Sequence, residues 1–161
     1  MRAGSQGTRN TVLRGFPGGA IYETVGGGAG AGPGFAGRSA AQVHMTNTRA
    51  TDVEVLEHRA PIRLLRVGRR WGSGGPGRWP GGDGIVREWL FLAPMEVSLL
   101  VERRRGGAPG AQGGDPGAPG EDLWITADGA RPAPPTFSAS PGDRLRVSTP
   151  GGGGWGRSQG G

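Results

Sequence analysis

The run His44-Met45-Thr46-Asn47-Thr48-Arg49 packs an imidazole, two hydroxyls, a carboxamide and a guanidinium into six residues. Regular structure has no need of such a block, because Asn and Thr side chains compete with the backbone for hydrogen bonds. His44 can serve as a metal ligand, a general acid or base, or a donor to a substrate carbonyl. The plainer alternative is an imidazole bonded to nearby backbone in a tight turn. Asn47 beside it completes a candidate catalytic pair, with Thr46, Thr48 and Arg49 as candidate substrate-binding groups. Glu23 is the third candidate catalytic residue. It precedes a glycine cluster, where a carboxylate could orient water or hold a cation, or pair with one of the chain's many arginines. Glu57 and His58 read as an ordinary ion-pair partner and a helix-end residue.

The glycines from Gly26 to Gly32 offer consecutive backbone N–H groups, the raw material of an anion nest. No Gly-Lys-Ser/Thr ending follows and the chain contains no lysine, so a nucleotide site is not expected here. Close backbone packing is the expected reason for these glycines. Gly151 to Gly154 invite the same reading, with Trp155 as an anchor. Asp83, within Gly81-Gly82-Asp83-Gly84, reads first as a turn feeding a strand. Ser5 has no Gly-x-Ser-x-Gly elbow around it.

The elements that must position these groups are mostly strands. Val12-Leu13 and Ala20-Ile21-Tyr22 suggest short ones. Strand formers then recur at 62–67, 84–91, 97–101, 123–126 and 144–148, separated by Gly- and Pro-rich turns. One or two helical turns are expected over 51–58, capped by Thr51 or Asp52 and stopped by Pro61. Residues 106–120 read as a long surface loop. The expected fold is mainly β with long Gly/Pro-rich loops and one short helix (α+β). Residues 1–161 form a single region, with a Gly-rich loop and site segment over 1–60 and a β-rich segment over 61–156.

Composition pulls against a comfortable core. There are 36 glycines and 14 prolines, and Leu, Ile, Val and Phe number 28 of 161 residues, within the range of disordered chains. A net charge of +6 is too small for the strong self-repulsion of disorder, however, and the apolar residues are grouped. Carboxylates are interspersed among the arginines, so nucleic acid is not the expected partner. Without cysteine, disulfides and thiolate chemistry are excluded. No apolar stretch is long enough to span a bilayer, and a cytoplasmic, membrane-free protein is expected.

Order and spacing of several blocks resemble the C-terminal portion of the hydantoinase B/oxoprolinase family, closest in look to 5-oxoprolinases. These blocks include Gly4 to Thr8, Tyr22 to Thr24, Gly27 to Pro33, His44 to Arg49 and Glu54 to Glu57. Later ones are Gly72 to Gly75, Gly77 to Trp79, Gly81 to Gly84, Gly114 to Gly120, Pro141 to Asp143 and Thr149 to Gly156. The resemblance implies an ATP-dependent hydrolase of cyclic amides, in which an ATPase part phosphorylates the lactam carbonyl and the B-type part contributes to ring opening. It implies as partners a hydantoinase A-type ATPase subunit or domain, the N-terminal part of a B-type subunit, and a small cyclic amide. ATP and Mg belong to the ATPase part, and no cofactor is assigned to this chain. A metal is left open. Arg9 stands where the family carries an apolar residue, Pro80 where it carries arginine, and Pro109 where it carries an aromatic. Catalysis by these residues alone is not expected. The other outcome is a non-catalytic docking module of such a complex.

Overall fold

A computed structural model describes residues 1–7, 10–42 and 52–158. Among these residues, nine strands and one helix follow each other in the order β1 (Asn10–Phe16), β2 (Gly19–Thr24), α1 (Val53–Arg59), β3 (Ile62–Arg70), β4 (Gly84–Phe91), β5 (Met95–Val101), β6 (Glu121–Thr126), β7 (Gly129–Pro132), β8 (Thr136–Ala139) and β9 (Arg144–Ser148). They form a four-stranded sheet in the order β2-β1-β5-β8 and a five-stranded sheet in the order β3-β4-β9-β6-β7. All named pairings are antiparallel. The fold is thus mainly β with one short helix, as expected.

Period-two alternation builds the core between the sheets. In β5, Met95, Val97 and Leu99 are buried while Glu96 and Leu100 are exposed. Trp89 and Phe91 of β4, Leu145 and Val147 of β9, Val12 of β1 and Phe137 of β8 join them in one cluster. Trp124 of β6 stacks on Phe137 at 4.4 Å between ring centroids, joining one sheet to the other. Helix α1 adds Leu56 to the core. Its N-cap is Asp52, whose carboxylate accepts from the Glu54 N–H at 2.9 Å. Glu57 accepts from the Leu64 N–H at 2.9 Å, bracing the start of β3, and His58 is exposed in the last turn.

β4 and β9 span the residues expected of them. β1, β2, β3, β5 and β6 extend past the expected ends, because pairing with a neighbour recruits residues whose own propensity is weak. β7 and β8 were not anticipated. Each is four residues long, and the prolines at 132, 134, 135 and 141 mask them, although proline is tolerated at strand ends.

Beside the sheets lies a second kind of core, made of glycine backbone. In the segment 151–154, the N–H of Gly151 donates to Ala118 (3.1 Å), Gly152 to Gly82 (2.8 Å), Gly153 to Gly4 (2.9 Å) and Gly154 to Asp115 (2.9 Å). Positions three apart thus address the same neighbouring segment, and the two between address two others. That is the threefold period of a polyproline-II-type strand, not the twofold period of a sheet. Segments 3–6, 28–31, 75–82 and 108–118 surround this central strand. Axes approach so closely that a Cβ on Gly152 would overlap the Ala29 carbonyl, and one on Gly28 the Gly82 carbonyl. Residues 106–120 are therefore more than a surface loop. Ala108 and Gly117 are buried in the bundle and bonded to each other through the Gly117 N–H at 2.9 Å. Trp155 packs on Trp79 with centroids 5.1 Å apart, and its indole N–H donates to the Met1 carbonyl at 2.9 Å.

Candidate functional site

Glu23 lies at the end of β2, pointing between the sheets, and is almost completely buried. Its two carboxylate oxygens meet different arginines. Arg14 of β1 donates from Nη2 to Oε2 at 2.6 Å, and Arg87 of β4 donates from Nη1 to Oε1. The triad spans the two sheets. Arg14 shares the inward parity of Val12, and Arg87 that of Trp89 and Phe91, so alternation turns both guanidinium groups inward. Both sit near the indole of Trp89, at 4.6 Å for Arg14 and 5.7 Å for Arg87, a cation–π arrangement that helps to hold charge in an apolar setting. Burial pushes the Arg14 guanidinium below its ordinary value and Glu23 opposes that shift. An arginine nonetheless stays protonated.

The triad is not fully satisfied. Arg14 Nε and Nη1, Arg87 Nε and Trp89 Nε1 are buried with no hydrogen-bond partner. Arg87 also lines an open cavity of about 160 Å³, together with Thr24, Val25, Gln42, Val67 and Ile85. Gln42 donates from Nε2 to the Thr24 carbonyl at 3.2 Å, while its Oε1 is buried and unpartnered.

His44, Thr46, Asn47, Thr48 and Arg49 lie outside the described residues, between Gln42 and Asp52. Glu23 is the one expected site residue whose surroundings are described. Arg14, Arg87, Trp89 and Gln42 were not anticipated. The available signal was parity: an arginine at an inward strand position needs a buried carboxylate.

A second polar network ties the sheets to the glycine bundle. Gln6 donates from Nε2 to the Ala41 carbonyl at 3.2 Å and accepts from Asn10 Nδ2 at 2.8 Å. Asn10 in turn accepts from Arg104 Nη1 at 2.8 Å. Arg104 grips Asp122 with two bonds, Nε to Oδ2 at 2.8 Å and Nη2 to Oδ1 at 3.0 Å, the fork geometry suited to a carboxylate. Asp83 fills a turn role, accepting from the Gly74 N–H at 2.7 Å and from Arg69 Nε at 2.8 Å. Burial pushes its carboxyl up, but the Gly74 N–H and Arg69 together pull harder and hold it below the usual aspartate range. Ser5 accepts from the Gly30 N–H at 3.0 Å, a structural bond.

Among the described residues the glycine cluster does not fit a nucleotide phosphate. The N–H groups a phosphate would need are engaged: Gly27 with Ala41, Gly28 with Pro150, Ala29 with Arg38, Ala31 with Gly153 and Gly32 with Phe35. Among the described residues no group of three His, Asp or Glu is placed to hold a metal ion. No helix among them is long and apolar enough to cross a membrane.

Comparison with known proteins bears on this arrangement. 5-oxoprolinase 1 of Arabidopsis thaliana is 46% identical over 155 residues, covering 94% of this chain and 12% of that protein. The 5-oxoprolinase of Dictyostelium discoideum is 42% identical over 158 residues, covering 96% and 12%. The chain therefore spans about an eighth of the length of these relatives. Among solved structures, an ATP-dependent caprolactamase from Pseudomonas jessenii shares the fold with a TM-score of 0.80 at 23% identity, over 98% of this chain and 31% of that one. A nucleotide-free acetone carboxylase does so with a TM-score of 0.80 at 18% identity, over 98% and 27%. Residues 1–158 match the family described as hydantoinase B/oxoprolinase, and on that match and these identities the chain belongs to the hydantoinase B/oxoprolinase family.

Proposed function

We propose that this chain forms part of an ATP-dependent cyclic-amide hydrolase of the 5-oxoprolinase type, opening a lactam ring after an ATPase partner has phosphorylated its carbonyl. The observation that carries the reading is the 46% identity to a 5-oxoprolinase over nearly the whole chain. Phosphorylation is chemically apt, since it removes the amide resonance and makes the carbonyl carbon electrophilic: water adds there, the C–N bond breaks as the departing nitrogen takes a proton, and the acyl phosphate that remains is hydrolysed to carboxylate and phosphate. ATP and Mg act on the partner, in keeping with a glycine cluster whose backbone donors are already engaged. In the assembled enzyme, His44 and Asn47 hold the activated intermediate or its attacking water, with Thr46, Thr48 and Arg49 binding substrate. Glu23, both of whose oxygens are engaged by arginines, acts there by positioning Arg87.

The chain by itself is inert in this reading. Co-expression with the remainder of a B-type subunit and an A-type ATPase is expected to yield ATP-dependent hydrolysis of 5-oxoproline, lost when this chain is omitted. Ring opening that survives replacement of both His44 and Asn47 by Ala removes their catalytic role. An assembled complex without any cyclic-amide hydrolysis overturns the reading and leaves a docking module.

A further inference from the structure

Strand β4 carries Arg87 and Glu88 in succession, and therefore on opposite faces of the larger sheet. Arg87 turns inward to Glu23. Glu88 faces outward, where Arg144 of β9 donates from Nη1 to its Oε1 and Arg146 from Nε to its Oε2, both at 2.8 Å. Each of these arginines spends one donor on Glu88, and their side chains remain 40% and 34% exposed, so further N–H groups of both are open to a partner. Strand β3 adds two more. Arg63 stands opposite Leu90 and Arg66 opposite Glu88; both are exposed, and neither forms an ion pair among the described residues. Leu90 in turn stands opposite Arg144, and Glu88 opposite Arg146. Two rows of three thus cross the face, Arg63, Leu90 and Arg144 in one and Arg66, Glu88 and Arg146 in the other. With strands about 4.8 Å apart and one face repeating every two residues, the four arginines mark the corners of a rectangle about 10 Å by 7 Å. Glu121, one row further on, interacts electrostatically with Arg70.

We infer that this outer face of the five-stranded sheet docks an acidic helix of a partner protein, whose carboxylates meet Arg63, Arg66, Arg144 and Arg146. Four guanidinium groups face one carboxylate here, which leaves three positive charges in excess out of the chain's net +6. Such a surplus attracts an anionic surface, and the guanidinium fork matches a carboxylate. Helix geometry supplies the spacing. Glutamates at i and i+4 lie about 6 Å apart and those at i and i+7 about 10.5 Å, close to the two sides of the rectangle. Leu90, half-buried between Arg63 and Arg144, offers apolar contact beneath the helix. Nucleic acid fits less well, because no residue of the two rows is aromatic and bases would have no ring to stack on. The inference does not rest on ring opening, since it concerns binding to the folded chain without ATP or an ATPase part.

The probe is a fluorescein-labelled, alanine-based helical peptide with glutamates at i, i+4, i+7 and i+11, titrated with the full chain at low salt and followed by anisotropy. Two comparators have the same length, one with glutamine at those positions and one with the glutamates spread around the helix. The expected result is saturable binding of the one-faced peptide that weakens as salt rises, with both comparators at least about tenfold weaker. Arg63→Gln combined with Arg66→Gln is expected to weaken the one-faced peptide about tenfold. Arg59→Gln combined with Arg105→Gln removes the same charge from exposed positions elsewhere and is expected to leave binding unchanged. All four arginines are exposed, so both double variants are expected to melt with the wild type. The peptide series on the wild-type chain keeps the test decisive if either variant fails to fold. No saturable binding, or equal losses in the two double variants, overturns the docking surface. Equal binding of the peptide with scattered glutamates overturns the helix as occupant, and tighter binding of an oligouridylate of equal charge overturns the proposal in favour of nucleic acid.

Discussion

Glu23 pairs with two arginines at once, and its removal would leave both positive charges in the interior without a carboxylate. Breaking a buried ion pair by removing one partner costs about 3–5 kcal/mol, because the surviving charge loses its compensation. Glu23→Gln is therefore expected to lower stability by about that amount in urea or guanidinium unfolding. A loss under ~1 kcal/mol would show that water reaches the triad. Asp83 sets a pH dependence. Its carboxyl sits below the usual aspartate range in the folded chain, so its contribution is fully present above the unfolded value near pH ~3.9 and disappears as pH falls through the lower folded value. Wild-type stability is expected to drop steeply from about pH 4 downward, and Asp83→Asn to be less stable at neutral pH with a shallower acid slope. Equal acid slopes in the two proteins would remove Asp83 from the account.

The glycine bundle trades side chains for backbone contact, so its glycines are not equivalent. At Gly152 a Cβ would overlap the backbone carbonyl of Ala29, and neither segment can turn aside as a side chain would. Gly152→Ala is expected to cost at least the ~1–3 kcal/mol of core overpacking. Gly106 has nothing within 4 Å of the place a Cβ would take and no left-handed φ. Gly106→Ala is expected to be neutral or to stabilise by ~0.4–1 kcal/mol, through a less flexible unfolded chain. Thermal melts of the two variants check the contrast, and equal effects would contradict close packing as the reason for the glycines. The period-three bonding of residues 151–154 could not be read from glycine content alone. A Gly-rich run fits a flexible linker equally well, and the neighbours that decide between them lie up to 149 residues away.

For the whole molecule, exposed apolar side chains lie on the smaller sheet, at Leu13, Tyr22 and Leu100, and along β3 of the larger one. This nine-residue strand is an edge of the larger sheet and exposes Leu65 and Val67, with Trp71 just beyond its end and 77% exposed. A long apolar edge invites pairing with another strand. Its arginines, and the irregular register between Leu64 and Arg66, partly guard it. Self-association of the isolated chain is expected, and the double replacement Leu65→Lys and Trp71→Lys should reduce it in sedimentation experiments without shifting the unfolding midpoint. Association unchanged by the two lysines would place the contact elsewhere. A chain spanning about an eighth of its curated relatives has ample reason to keep such a surface.

The sequence by itself determined what depends on near neighbours. Strand formers bounded by Gly84 and Phe91, and by Arg144 and Ser148, specified β4 and β9 to the residue; Thr51 or Asp52 before it and Pro61 after it bracketed the helix; and the spaced glycine and His44-to-Arg49 blocks identified the family. These are signals of propensity, capping and order along the chain. Only the tertiary structure brought Arg87 to Glu23 across 64 positions, turned four glycines toward three separate segments, and left Arg87 Nε and Gln42 Oε1 buried without hydrogen-bond partners. Buried charge and backbone contact are decided by which segments meet. That meeting depends on the sheets burying Trp89, Phe91 and Leu145 against Val12 and Val97, a condition of the whole chain and not of any window within it.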